Sequence, residues 1–164
     1  MRGIRVWARL LGLARAVVED VFCDDDGAVV VCVRPRAREQ GRCGICRRRC
    51  PGYDCGEGRR RWRALDLGTT TAYVEAQAPR VQCKRHGVIV AAVPWARHDS
   101  SFTRQFEDQV AWLAVNTSAT AVAALMRSTW RAVGAICRRV ADEARARRDL
   151  LDGLRRIGVE TVCA

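Results

Sequence analysis

Two short pairs constrain this chain more than anything else in it. Cys43-Gly44-Ile45-Cys46 and Cys83-Lys84-Arg85-His86 each have a gap of two residues, and 36 residues separate them. That gap lets both side chains of a pair turn towards one cation, and three thiolates plus one imidazole fill the tetrahedral shell of Zn2+. A shell filled by protein leaves no position for water, so the ion implied is structural and its binding energy is folding energy. Gly44 suits the tight turn of the first pair. Cys50 and Cys55 follow at gaps of three and four residues, and either could replace one of the four donors. The neighbours Arg42, Arg47, Arg48, Lys84 and Arg85 offset thiolate charge. Cys23, Cys32, Cys137 and Cys163 fall at strand, helix or tail positions and read as packing residues. A redox use of Cys43 and Cys46 calls for a surrounding βαβ pattern, which is absent.

Charge narrows the partner. With 29 basic against 18 acidic residues the chain carries +11, an excess suited to a polyanion such as nucleic acid. Residues 34–63 hold 11 basic and 3 acidic groups, whereas residues 1–33 hold 4 and 5, so the excess is local. Of the basic residues 28 are arginines, a skew that fits a GC-rich genome as well as phosphate binding. No stretch reaches the roughly 20 apolar residues of a membrane helix. Arg9 and Arg15 interrupt the only signal-like run, which leaves a cytoplasmic bacterial protein, associated with the nucleoid, as the expectation.

At 164 residues the chain can form one ordinary domain or two small ones. A short helix is expected around Arg9–Val17, then a strand over Val17–Phe22, a turn at Asp24-Asp25-Asp26-Gly27 and a strand over Ala28–Val33. Alternating and β-branched residues between Thr70 and Gln82 predict further strands that return the chain to Cys83. Beyond Pro94 the period changes: Phe102, Phe106, Val110 and Leu113 mark a helix capped by Ser100-Ser101 and ended by Asn116-Thr117-Ser118. The fold class is therefore α+β, with a β-rich metal-binding domain over 1–94 (finger core 40–90), a helical domain over 95–148 and a tail over 149–164.

Thr120–Ile136 carries two helices around a break of three or four residues, the signature of a helix-turn-helix. Ala123 would sit at the crossing, with Leu113 and Leu125 in the core and Ser128 or Thr129 capping the second helix. Val133, Ile136, Cys137, Val140 and Ala144 form the second helix's inner stripe, which leaves Arg131, Ala135, Arg138 and Asp142 facing outward, where they could enter a major groove. Arg127 occupies a turn position where glycine is common, so it must reach positive φ at some cost. Two ordinary core helices with a solvated arginine face would give the same pattern.

Several stretches resemble the N-terminal region of bacterial insertion-sequence transposases of the ISL-three family. They are VRPRAREQGRCGICRRRCPGYDCGEGRRRWRALDLG, QCKRHGV, VPWARHDSSFTRQFEDQVAWLA and LMRSTWRAVGAICRRV. The resemblance implies a zinc-binding element followed by a helix-turn-helix, with Cys43, Cys46, Cys83 and His86 as ligands. It implies double-stranded DNA, the terminal inverted repeats of a mobile element, as partner. Arg131 and Arg138 would then read bases, with Arg127 and Arg139 nearer phosphate. Arg47, Arg48, Arg49, Arg59, Arg60, Arg61 and Arg63, with Trp62 interleaved, would add phosphate contacts.

Family members continue into an integrase-type domain whose three acidic residues hold two metal ions. LRRIGVE resembles its opening segment, so the expectation is a shortened chain that recognises DNA without cleaving it, not an enzyme. Helices over 102–115 and 130–148 could pair in a homodimer or with a full-length transposase. Three other readings compete: a zinc-dependent protein-interaction adaptor, a stand-alone DNA-binding regulator, and an enzyme using Cys43 and Cys46, His86 or His98. The adaptor leaves the helical half unexplained, and the enzyme lacks partner groups at recognisable spacing.

Overall fold

The computed structural model describes residues 2–147, with the side chains of residues 2–5 excepted. The tail expected over 149–164, including Cys163, lies outside the described residues.

The chain opens with α1 (Arg2–Leu10), followed by β1 (Ala16–Cys23) and β2 (Val29–Pro35). The helix thus precedes the span expected at Arg9–Val17. Gly12 and Arg15 adopt φ of 54° and 65°, conformations that no right-handed helix can pass through, and the chain turns there into β1. Asp24 Oδ1 accepts from the backbone N–H of Ala28 and Gly27 takes φ 75°, so the acidic run makes the hairpin turn expected of it.

After β2 come β3 (Gly52–Asp54), β4 (Arg59–Arg63), β5 (Ala72–Gln77), β6 (Arg80–Cys83) and β7 (Gly87–Val90). They divide between two sheets. The larger has the order β1-β2-β5-β4, antiparallel except for the parallel β2–β5 pair, and the smaller is the antiparallel β3-β6-β7. The chain crosses between the sheets at β2–β3, β3–β4 and β5–β6, so the 36 residues between the two pairs include strands of both sheets rather than a simple hairpin. Val31, Val33, Val74 and Trp62 line the buried face of the larger sheet, where Leu11, Leu13 and Trp95 cover them. Trp62 and Trp95 meet edge to face at 5.6 Å.

The second half is α2 (Arg104–Asn116), α3 (Ala119–Leu125) and α4 (Trp130–Arg147). Thr103, rather than Ser100 or Ser101, caps α2 by accepting from the Phe106 N–H. Ser118 caps α3, and Thr129 Oγ1 accepts from the Ala132 N–H at the start of α4. Phe106, Val110, Val122, Met126, Val133 and Ile136 form the helical core, with Leu113, Ala123, Cys137 and Val140 packed at its edge. Leu125 is 66% exposed, because α3 turns Val122 and Met126 inward instead, and Ala144 also lies outside the core. Both positions depart from the sequence pattern: at Leu125 because α3 is a two-turn helix, too short for periodicity to fix its phase, and at Ala144 because it lies on the last turn of α4, beyond Val140, where the helical core ends. Among the described residues no helix is long and apolar enough to cross a membrane.

Arg63 joins the halves. It is 9% exposed, ion-paired to Asp66 at 2.5 Å, and its guanidinium lies between the Tyr73 and Phe106 rings at 5.6 and 5.8 Å. Its N–H and C=O bond Ser101 and Thr103, which extends the larger sheet towards α2.

Candidate metal centre and nucleic-acid interface

Each Cys/His pair sits on a tight turn. The first lies between Arg42 and Arg49, which bridge as in a miniature hairpin, with the Cys43 N–H bonded to the Arg48 carbonyl at 2.9 Å. The second is the connection between β6 and β7, with Cys83 at the end of one strand and His86 just before the other. Gly44 is needed for space rather than for positive φ: a Cβ there would lie 2.6 Å from the Val90 carbonyl oxygen and 2.5 Å from the His98 ring. The left-handed residue of this turn is Arg47, at φ 60°.

The donor atoms of Cys43, Cys46, Cys83 and His86 all lie within 4.8 Å of one another. Cys43 Sγ and Cys83 Sγ each stand 3.5 Å from His86 Nδ1, and Cys46 Sγ stands 3.8 Å from Cys83 Sγ. Metal–sulfur bonds of about 2.3 Å and metal–nitrogen bonds of about 2.0–2.1 Å at tetrahedral angles require edges of about 3.8 Å between sulfurs and about 3.5 Å between sulfur and nitrogen. The donors are thus spaced as a tetrahedral cation needs them, and the sulfurs stand well beyond the roughly 2.05 Å of a disulfide. The backbone N–H groups of Arg85 and His86 point at Cys83 and hold its thiol down to about 6, whereas burial pushes Cys43 up.

Cys50 lies beside this cluster without joining it. Its thiol donates to the Arg48 carbonyl at 3.4 Å, and burial, then the neighbouring Cys83, pushes it up. Cys55 is exposed and stands outside the group. His98 is exposed, with its ring over Gly44, and burial of part of the ring lowers its pKa.

The basic residues divide into available and committed groups. On α4, Arg131 and Arg138 are exposed, two turns apart, and among the described residues no carboxylate pairs with either; Arg131 lies over the exposed Trp130 ring at 5.4 Å. Arg48 and Arg49 are exposed at the first metal-site turn. Arg127 takes φ 46° in the turn between α3 and α4, as its position demanded, and reaches the Thr69 carbonyl at 2.9 Å and Asp66 at 3.5 Å. Arg60 donates to the Ser100 carbonyl, and Arg47 is half-buried.

Four more of the residues expected to contact phosphate are held closely by carboxylates. Arg59 and Arg61 flank Glu75 of β5 at 2.6 and 2.8 Å, and Arg61 also reaches Asp24, so cross-strand pairing absorbs much of that charge. Arg63 is the buried link described above. Arg139 points inward to Glu107 at 2.7 Å.

Glu107 is the main feature that sequence reasoning missed. This fully buried carboxylate accepts from Ser100 Oγ at 2.7 Å, Arg97 at 3.0 Å and Arg139, and so ties α2 to the 97–100 loop and to α4. Glu143 repeats the device nearer the surface with Arg97, Arg104 and Arg147. The available signal was a glutamate one residue from Phe106 on the inner side of α2.

Residues 39–86 match the zinc-finger of the transposases IS204, IS1001, IS1096 and IS1165, and residues 91–141 match the helix-turn-helix domain of transposase family ISL3. The chain belongs to this family of insertion-sequence transposases, of which it carries the zinc-finger and helix-turn-helix region. It is 48% identical over 168 residues to the transposase for insertion sequence element IS1557 of Mycobacterium tuberculosis, in strain CDC 1551 / Oshkosh and in strain ATCC 25618 / H37Rv alike. The match covers 99% of this chain and 38% of those relatives. No solved structure matches.

Proposed function

We propose that this chain is the DNA-recognition part of an insertion-sequence transposase, which binds the terminal inverted repeats of its element through α4 while a structural zinc ion holds the preceding β-rich part in shape. On this reading residues 1–94 form the zinc-binding domain and residues 95–148 the helix-turn-helix domain, although Trp95 and Ala96 pack into the first core. Cys43, Cys46, Cys83 and His86 would hold the zinc, which contributes crosslinking and no reaction step. Supporting this are the donor spacings and a protein shell with four ligands, the number typical of structural zinc.

One observation carries the DNA reading: the outward side of α4 presents arginines, without a carboxylate partner among the described residues, where the second helix of a helix-turn-helix meets base edges. Arg131 and Arg138 would read bases, while Arg127, Arg48 and Arg49 would contact phosphates. Such a protein works on the nucleoid, alone or paired with a second copy or a longer transposase.

The test is fluorescence anisotropy of the zinc-loaded chain on a terminal-repeat duplex and on a scrambled duplex across a salt series. Repeat-selective, salt-sensitive binding is expected, with Arg138→Ala costing about 1–3 kcal/mol on the repeat and relaxing selectivity. Equal affinity for both duplexes, with Arg138→Ala indistinguishable from wild type, would contradict the reading.

A further inference from the structure

A cleft of about 670 Å³ lies between the first metal-site turn and the C-terminal half of α4. Arg15, Arg42, Arg47, Arg104 and Arg147 wall it. These residues are scattered over the sequence, and the fold brings five guanidinium groups to one place. Among the described residues two carboxylates line the cleft. Glu143 is already shared among Arg97, Arg104 and Arg147, and Glu39 reaches Arg15 at 3.8 Å. The cleft is therefore strongly cationic and large enough for a ligand, since binding sites span about 300–1,000 Å³.

Arg47 gives the cleft its direction. It is half-buried and its guanidinium donates to the Val93 carbonyl at 3.4 Å, with no carboxylate paired to it among the described residues. Its backbone takes φ 60°, a conformation that glycine adopts without strain and arginine does not. The left-handed backbone belongs to the metal-site turn, but a half-buried cation held by a carbonyl at the wall of a cationic cleft favours an anionic ligand there. Arg104 is also the first residue of α2, so the positive end of that helix lies beside the cleft.

We infer that this cleft binds a backbone phosphate of the DNA, at a second contact separate from the outward face of α4. The inference rests on the DNA reading above and adds where the phosphodiester chain is gripped. Along α4, Glu143 lies 12 residues beyond Arg131, about 18 Å at the helical rise, so one duplex with α4 in its groove can reach both places. An arginine fork suits a phosphodiester, which offers two unesterified oxygens.

The test compares Arg47→Gly, Arg47→Lys, the double variant Arg15→Gln/Arg147→Gln and the charge-matched control Arg34→Gln, which lies on β2 away from the cleft, on repeat and scrambled duplexes. Zinc content and thermal melting serve as fold readouts. Arg47→Gly is expected to melt no lower than wild type, because glycine relieves the backbone strain. It should bind both duplexes about fivefold to tenfold more weakly at 0.1 M salt, with the slope of log K against log salt reduced by about 1. Arg47→Lys should keep most of that slope, the double variant should lose slope as Arg47→Gly does even if Arg47→Gly loses its zinc, and Arg34→Gln should match wild type. If the wild-type chain binds DNA but the cleft variants track Arg34→Gln, the cleft inference alone is overturned and an acidic protein segment becomes the better ligand to seek. If the wild-type chain binds neither duplex, the DNA reading fails and takes this inference with it.

Discussion

The small β3-β6-β7 sheet and the three-helix unit solve the same problem with different means. Strands of three or four residues, with β3 wholly exposed and Val81 the main buried aliphatic, bury too little apolar surface to hold a sheet. What converges there instead is a set of four metal donors on two turns. The helices bury Phe106, Val110, Val122, Met126, Val133 and Ile136, and add a fully buried carboxylate clamped by two arginines and a serine. On the zinc reading the first region depends on an ion and the second on packing and a charge network, so one can be broken without the other.

The largest effect should come from the donors. Cys43→Ser or Cys83→Ser is expected to abolish stoichiometric zinc and with it a stabilisation on the order of 10 kcal/mol, whereas Cys50→Ser should keep one zinc per chain; metal analysis after dialysis checks both. Next is Glu107→Ala, which strands Arg139 and unties α2 from the 97–100 loop, at a cost of about 3–5 kcal/mol read by denaturant unfolding of the helical signal. Thr129→Ala removes the cap of α4 and should cost about 1 kcal/mol in the same measurement.

The smallest effect sharpens the comparison through pH. Burial alone would raise the Glu143 pKa, but Arg104 and Arg97 outweigh it and hold the carboxyl below its ordinary value. A depressed folded-state pKa stabilises the protein above the unfolded value, and the contribution fades as pH falls through the folded value. Wild type should thus exceed Glu143→Gln in helical stability at neutral pH, and the gap should shrink below about pH 4.3. An unchanged gap down to the acid limit would count against the network.

How much of this was legible in the sequence followed the range of the interactions. The clustering of Cys43, Cys46, Cys83 and His86 was legible because each pair is local, and the same holds for the Asp24–Gly27 turn and the strained Arg127. Helical phase in α3 was misread at Leu125 because two turns carry too little periodicity. The commitments of Arg59, Arg61, Arg63 and Arg139 were invisible for another reason: a run of arginines looks alike whether it faces solvent or Glu75 and Glu107, and only the fold brings those carboxylates near. The cationic cleft was hidden in the same way, since its five arginines come from four separate stretches.

The most direct measurement is an amide-resolved NMR spectrum of the zinc-loaded chain before and after chelation. The account predicts that signals from the first metal-site turn and from β3, β6 and β7 collapse to unfolded positions while those of α2, α3 and α4 stay in place. Survival of both regions without metal, or loss of both together, would contradict it.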